Sequence, residues 1–193
     1  MNPWGSEKLV FCGVPSSKFH SMERRAFIKN TALFGGGMLA TFSCTERETS
    51  SYYFFTVTEA SCVIAICEQI IPADKEPGAT DAEVINYIDR ELRHIYKQHQ
   101  KLYRNGIAAL QASCKQLKGE LFEDLPFDEQ TALLIDMEKS KLPKTNWRDA
   151  KQGAFFQTIR KHTIEGFYSN PQHGGNKDHV SFEMMRIEPP YLF

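Results

Sequence analysis

The sequence predicts an all-α fold: a compact helical domain with an extended C-terminal tail, preceded by an export leader. Three observations carry that expectation. Apolar residues recur at three- and four-residue spacing through most of the chain after residue 50. Before it, a basic stretch is followed by an apolar one and then by small residues. Near the C-terminus, Asn170-Pro171 and Gly174-Gly175 mark turns, the proline by excluding helix at Asn170 and the glycines by admitting positive φ. Residues 1–50 therefore read as an N-terminal extension with its signal segment, and 51–193 as the helical domain.

Composition narrows the function. The chain has 193 residues, 41% hydrophobic and 12% aromatic, enough for one core of about 150 residues once the leader is set aside. A formal net charge of -1 and a pI near 6.6, with Lys and Arg interleaved with acids, exclude a nucleic-acid footprint. The cysteines, Cys12, Cys44, Cys62, Cys67 and Cys114, form no C-x-x-C and no zinc spacing. Cys62 and Cys67 lie in an apolar helical segment and read as buried thiols. Without the leader the body keeps an odd number of thiols, which also admits an intermolecular bridge.

Met22 reads as the biological start, followed at once by Glu23-Arg24-Arg25-Ala26-Phe27-Ile28-Lys29. The apolar stretch Thr31 to Phe42, with Gly35-Gly36-Gly37, is shorter than the about 20 residues a membrane span needs. Arg24, Arg25, Phe27 and Lys29 resemble the twin-arginine motif, a receptor-read export address. Ser43-Cys44 resembles a degraded lipobox, with Thr41 where Leu is usual, which makes Cys44 a lipidation candidate. A single lipid chain anchors only marginally.

A first helix is expected from Thr56-Val57-Thr58-Glu59, with Thr58 as N-cap, through Val63, Ile66 and Ile70 to a stop at Pro72. A capping box at Thr80 and Glu83 starts a second, whose apolar face runs Val84, Ile85, Ile88, Leu92, Ile95 and Tyr96. Its other face, Asp89, Arg90, Glu91, Arg93 and Lys97, reads as solvated surface. Tyr103, Ile107, Leu110, Cys114 and Leu117 carry a third helix, weakened at Gly106 and ended by Gly119. Asp128 caps a fourth over Glu129 to Met137. A last helix from Asp149 to Tyr168 has Phe155, Phe156, Ile159, Thr163 and Phe167 as its inner stripe. Val180 to Met184 alternates like a strand or extended tail, and Pro189-Pro190 excludes regular structure beyond it.

Signatures of chemistry are missing. There is no dinucleotide fingerprint, C-x-x-C-H, H-E-x-x-H, P-loop or G-x-S-x-G. His173, Asp178 and His179 share one loop and offer a metal-ligand reading, the basis of an alternative as an independent periplasmic metal-binding enzyme. His162 with Glu165 is an acid–base candidate, although such i to i+3 neighbours are routine on helices. His94 and His99 sit in a charged helix.

Taken together, the leader, Glu68-Gln69-Ile70-Ile71-Pro72-Ala73-Asp74, Pro77-Gly78-Ala79-Thr80-Asp81-Ala82, and Gly166-Phe167-Tyr168-Ser169-Asn170-Pro171 to Gly174-Gly175-Asn176 resemble the gluconate 2-dehydrogenase subunit 3 family. The resemblance runs from the leader almost to the end. It implies a small subunit without a cofactor of its own, accompanying a large flavin-dependent dehydrogenase subunit and a multihaem cytochrome c, so that FAD and haem c belong to the partners. It further implies periplasmic residence at the inner membrane, through those partners or a lipid anchor. The small subunit is expected to carry its large partner through the twin-arginine translocase and to assist its maturation. Family members often have an aromatic residue before Gly-Gly-Asn, where His173 stands, and Gly and Trp after it, where Asp178-His179 and Phe182 stand. These departures bear on which partner, and so which substrate, belongs to this chain. Tyr168, Asn170, Pro171, His173, Gly174, Gly175 and Asn176 are the expected partner-docking residues, with Phe167 closing the domain's own core. The other alternative is a lone lipid-anchored binding protein.

Overall fold

The computed structural model describes residues 51–188. Arg24, Arg25, Phe27, Lys29 and Cys44 lie outside the described residues, as do Pro189 and Pro190. Six α-helices follow in order: α1 Val57–Ile70, α2 Val84–Arg93, α3 Gln100–Lys118, α4 Phe127–Glu138, α5 Gln152–Tyr168 and α6 Val180–Met184. No helix among the described residues is long and apolar enough to cross a membrane.

α5 forms the centre and packs against α1, α2, α3 and α4. Its inner stripe is the one the spacing predicts: Phe155, Phe156, Ile159, Thr163 and Phe167 are all buried. The Thr163 hydroxyl is accommodated by the Ile159 carbonyl at 2.8 Å and Cys67 Sγ at 3.2 Å. Gly106, a weak point for α3 by propensity, marks where that helix meets α5. A Cβ there would stand 2.5 Å from the Phe155 ring. The helix gives up about 1 kcal/mol of propensity and gains an aromatic packed against its backbone. Gly119 ends α3 at φ 85°, as a left-handed C-cap. Cys62, Cys67 and Cys114 are buried and free, which removes the intermolecular bridge.

The remaining boundaries differ where a partner distant in sequence decides them. Thr56, not Thr58, caps α1, because Glu59 stands three residues after Thr56 and reaches back: Thr56 Oγ1 accepts from the Glu59 amide at 3.2 Å, and Glu59 Oε2 accepts from the Thr56 amide at 2.9 Å. Thr80 starts no helix, since its amide and hydroxyl both donate to Glu68 Oε2, at 3.0 and 2.5 Å. α2 begins at Val84 after a left-handed Glu83. It also ends early, at Arg93, and leaves Ile95 64% exposed rather than on the buried face. Pro126, one residue before Phe127, takes the cap position expected of Asp128, and α5 starts at Gln152 rather than Asp149. Val180 to Met184 is helical rather than extended, and Asn176 Oδ1 accepts the Ser181 amide of its first turn at 2.9 Å. Five residues of alternation are too few to distinguish the two.

The largest departure is Asp89. It is 2% exposed, although its position on α2 reads as solvated surface, and Glu91 is buried as well. Asp89 Oδ2 accepts from the Tyr53 amide at 2.6 Å, and Oδ1 from the Phe54 and Phe55 amides at 2.8 and 2.9 Å. One carboxylate thereby fastens the entering strand of chain to α2 and lets Phe55 bury completely in the core. Arg104 closes the same corner from α3, pairing with Glu59, donating to the Phe54 carbonyl and lying 4.2 Å over the Phe54 ring. Replacing Asp89 by Ala leaves these amides without their acceptor and should cost about 3 kcal/mol, with Asp89→Asn costing less. Urea unfolding of the variants checks both values.

Candidate docking face

The two stretches between α1 and α2 and after α5 build one face. The first is closed by Glu68 in the last turn of α1. Its Oε1 accepts the Ala73 amide at 2.7 Å while Oε2 takes Thr80. Asp81 Oδ2 accepts the Gly78 amide at 2.9 Å, Asp74 Oδ1 that of Glu76 at 3.0 Å, and the Ala79 amide reaches the Ile71 carbonyl at 2.8 Å. Gly78 lies so close to the opposite limb that a Cβ would stand 2.4 Å from Ala73 N. Pro72 to Glu76 are thus exposed on a loop with little freedom.

The second stretch follows α5. Asn170 Oδ1 accepts the Gln172 amide at 3.1 Å, and Pro171 opens a one-turn 3-10 helix to His173. Gly174 has φ 101°, and a Cβ there would stand 3.2 Å from the Asn86 backbone, while a Cβ on Gly175 would meet the Gly166 carbonyl oxygen at 2.3 Å. Asn176 is fully buried and donates to the Ser169 carbonyl at 2.9 Å. The two stretches meet at Lys177: its amide donates to the Ala82 carbonyl at 3.1 Å and its ammonium pairs with Glu83 at 2.5 Å. Arg90 of α2 donates to the Gln172 carbonyl at 2.6 Å.

The expected docking residues divide by this geometry. Gly175 and Asn176 face inward and hold the turn; Pro171 and Gly174 set its course. Tyr168, Asn170 and His173 line an open groove of about 830 Å³ between α2 and α5. Its rim exposes apolar surface that sequence reasoning missed, at Ile95 and Ile164 (44%), beside Tyr168 (42%). Ile95 reads as buried while α2 is taken to continue; only its early end turns the side chain out. Phe167 is fully buried, as expected.

Tyr87, Tyr96 and Glu165 line the groove, and a buried titratable cluster continues beneath them. The Tyr96 ring stacks on His162 at 4.0 Å with 6° between planes, and its hydroxyl donates to Glu165 at 2.7 Å. His162 Nδ1 lies 3.0 Å from the Tyr103 hydroxyl, and Tyr87 reaches Tyr96 at 3.4 Å. His162 and Glu165 are therefore not a direct acid–base pair, because Tyr96 is interposed. Burial, aided by the nearby His99 and Lys161, lowers the His162 pKa to about 4. Burial and the hydrogen bond to Glu165 raise that of Tyr96, and burial raises Tyr87 and Tyr103. At neutral pH the imidazole is uncharged and the phenols keep their protons, so the floor offers shape and hydrogen bonds rather than an activated base. His173, Asp178 and His179 are not gathered into a ligand set: no group of three or more His, Cys, Asp or Glu among the described residues is placed to hold a metal. His173 instead stands 4.0 Å from Glu91.

The family model for gluconate 2-dehydrogenase subunit 3 matches residues 58–189, more than half of the chain and both stretches of this face. The chain belongs to that family. Comparison with curated proteins and with solved structures returns no match. Membership makes the chain a subunit of a dehydrogenase complex, an oxidoreductase of the gluconate 2-dehydrogenase kind. Within this subunit 3 domain, both stretches quoted for the resemblance are loops locked to their own helices.

Two outcomes are expected of the subunit. Gly175→Ala drives a methyl into the Gly166 carbonyl and should destabilise by about 2 kcal/mol, while exposed Gln172→Ala stays within about 0.5 kcal/mol. Thermal melts separate them. For His162 the folded pKa lies below the ordinary 6.5. The unfolded chain therefore binds the extra proton first, and stability is full above pH 6.5 and falls as pH drops toward 4. The loss is on the order of 3 kcal/mol, levelling off below that range. Urea unfolding across the window should show the slope in the wild type and a weaker one in His162→Gln.

Proposed function

We propose that this subunit is non-catalytic and acts by docking: it binds the flavin-dependent large subunit of its dehydrogenase, escorts it through the twin-arginine translocase and assists its maturation and assembly in the periplasm. The observation that carries the reading is the groove between α2 and α5, where exposed Ile95, Ile164 and Tyr168 stand beside the internally locked loop that follows α5. Preorganised aromatic and aliphatic side chains bury area at little entropic cost, as interface anchors do. Burial disfavours the charged forms of His162 and Tyr96 at this site, which fits a recognition surface better than a reacting one. The leader motif Arg24-Arg25-Ala26-Phe27-Ile28-Lys29 supports the escort, since that route moves folded cargo. FAD and haem c then reside in the partners, the large subunit and a multihaem cytochrome c, and the complex sits at the inner membrane.

Co-expression with the flavoprotein tests both parts. Changing Arg24 and Arg25 to Lys should leave the flavoprotein in the cytoplasm; unchanged export removes the escort. Tyr168→Ala and Ile164→Glu should each weaken co-purification at least about tenfold, as truncated interface anchors cost upward of about 2 kcal/mol. Retained helical circular dichroism separates lost docking from lost folding. Wild-type recovery of the flavoprotein by both variants would place docking elsewhere.

A further inference from the structure

A second groove, of about 800 Å³, lies where the described chain begins, and Ser51 is part of its wall. Its character is basic and aromatic, with Arg90, Arg93, His94 and Lys97 from α2 and the turn after it, facing Tyr52 and Tyr53. Asp89 is the one carboxylate in the lining among the described residues, and its oxygens are already taken by the amides of Tyr53, Phe54 and Phe55. It leaves the cations little compensated. Arg90 is held by the Gln172 carbonyl, whereas Arg93 lies over the Tyr53 ring at 5.8 Å, and Tyr53 itself is 72% exposed. Neither Arg93 nor Lys97 is in an ion pair among the described residues.

What could cover such a groove follows from where the chain goes next. From Ser51 it runs back through residues 43–50 to the apolar stretch that ends at Phe42, at most about 30 Å of fully extended backbone. Any hold of that stretch, or of a lipid on Cys44, on a bilayer keeps the groove within reach of its surface. Exposed Arg and Lys beside an exposed Tyr are the side chains that settle at a charged membrane interface.

We propose that this groove is the face the domain turns to an anionic lipid surface, with Arg93 and Lys97 meeting headgroup phosphates and Tyr53 lying at the interface. It rests on the leader reading above for its orientation, but not on the flavoprotein partner. An acidic partner protein is the competing occupant, and the short tether favours the bilayer over it.

The test is flotation of the purified full chain with two kinds of vesicle: phosphatidylcholine alone, and equal parts phosphatidylcholine and phosphatidylglycerol. Neutral vesicles read any insertion by the leader itself. The wild type should partition more strongly into the anionic vesicles, and Arg93→Gln with Lys97→Gln should reduce that excess about 25-fold, at about fivefold per basic side chain. Lys139→Gln with Lys141→Gln, at exposed positions in a different turn, should leave it unchanged. If the first double variant loses its helical signal, Lys97→Gln alone reads the same effect at about fivefold. The proposal is overturned if the groove variant floats like the wild type, or if the control pair falls as far. It is also overturned if inorganic phosphate at constant ionic strength releases the protein, which would mean a discrete phosphate site. Loss of the flavoprotein with flotation intact would assign the groove to a protein partner instead. Unchanged export of the flavoprotein by the Arg24→Lys, Arg25→Lys variant, with intact flotation, would count against the escort and leave this surface standing.

Discussion

The approach of Gly175 to the carbonyl of Gly166 is the constraint on which the rest of the face depends. No side chain larger than hydrogen fits between them, and a Cβ on the neighbouring Gly174 would also press on the backbone of α2, at 3.2 Å from Asn86. Main chain therefore meets main chain at both ends of the turn. That contact brings Lys177 to Ala82 and Glu83, places Asn176 where it accepts the Ser181 amide of α6, and fixes the height of Tyr168 and His173 above the groove. Gly166 has its own second reason to be glycine, since a Cβ there would stand 2.9 Å from the Tyr87 ring.

The parts of this fold legible in the sequence are those written in local periodicity. The inner stripe of α5, the glycine end of α3 and the burial of Cys62 and Cys67 follow from spacing and burial preference alone. The parts that were not legible depend on partners far along the chain. Asp89 lies on the polar side of α2 by every local criterion, and only amides 34 to 36 residues earlier give it a buried role. The aromatic run Tyr52-Tyr53-Phe54-Phe55 was the available signal, because so much apolar surface ahead of α1 has to be placed somewhere. Thr80 carried the spacing of a capping box, yet Glu68 outbid its own helix for the hydroxyl. For the candidate site, turn chemistry located the loop correctly but did not separate the residues facing in, Gly175 and Asn176, from those facing out. Ile95 is exposed because α2 ends at Arg93, a boundary that the continuing apolar spacing hides.

Beneath the groove, ionisable groups serve as packing material. Tyr96, His162 and Tyr103 stack as a column whose polar atoms are satisfied by one another and by Glu165. Such a network specifies one arrangement of helices and holds it at neutral pH. Acid is the condition under which it should loosen, because protonating His162 places a charge between two aromatic faces with no carboxylate in direct contact.

The three cysteines of the domain have a consequence for its redox chemistry. Burial raises all of them, Cys67 and Cys114 to about 12, and Cys62 is pushed up further by the charge of Glu123 nearby. Thiol–disulfide exchange proceeds through the thiolate and through physical access to it, and this fold withholds both. Once folded, the domain is indifferent to the redox poise around it. Its fold calls on neither an oxidase nor a reductant, because the three thiols are out of reach in a reducing or an oxidising medium alike.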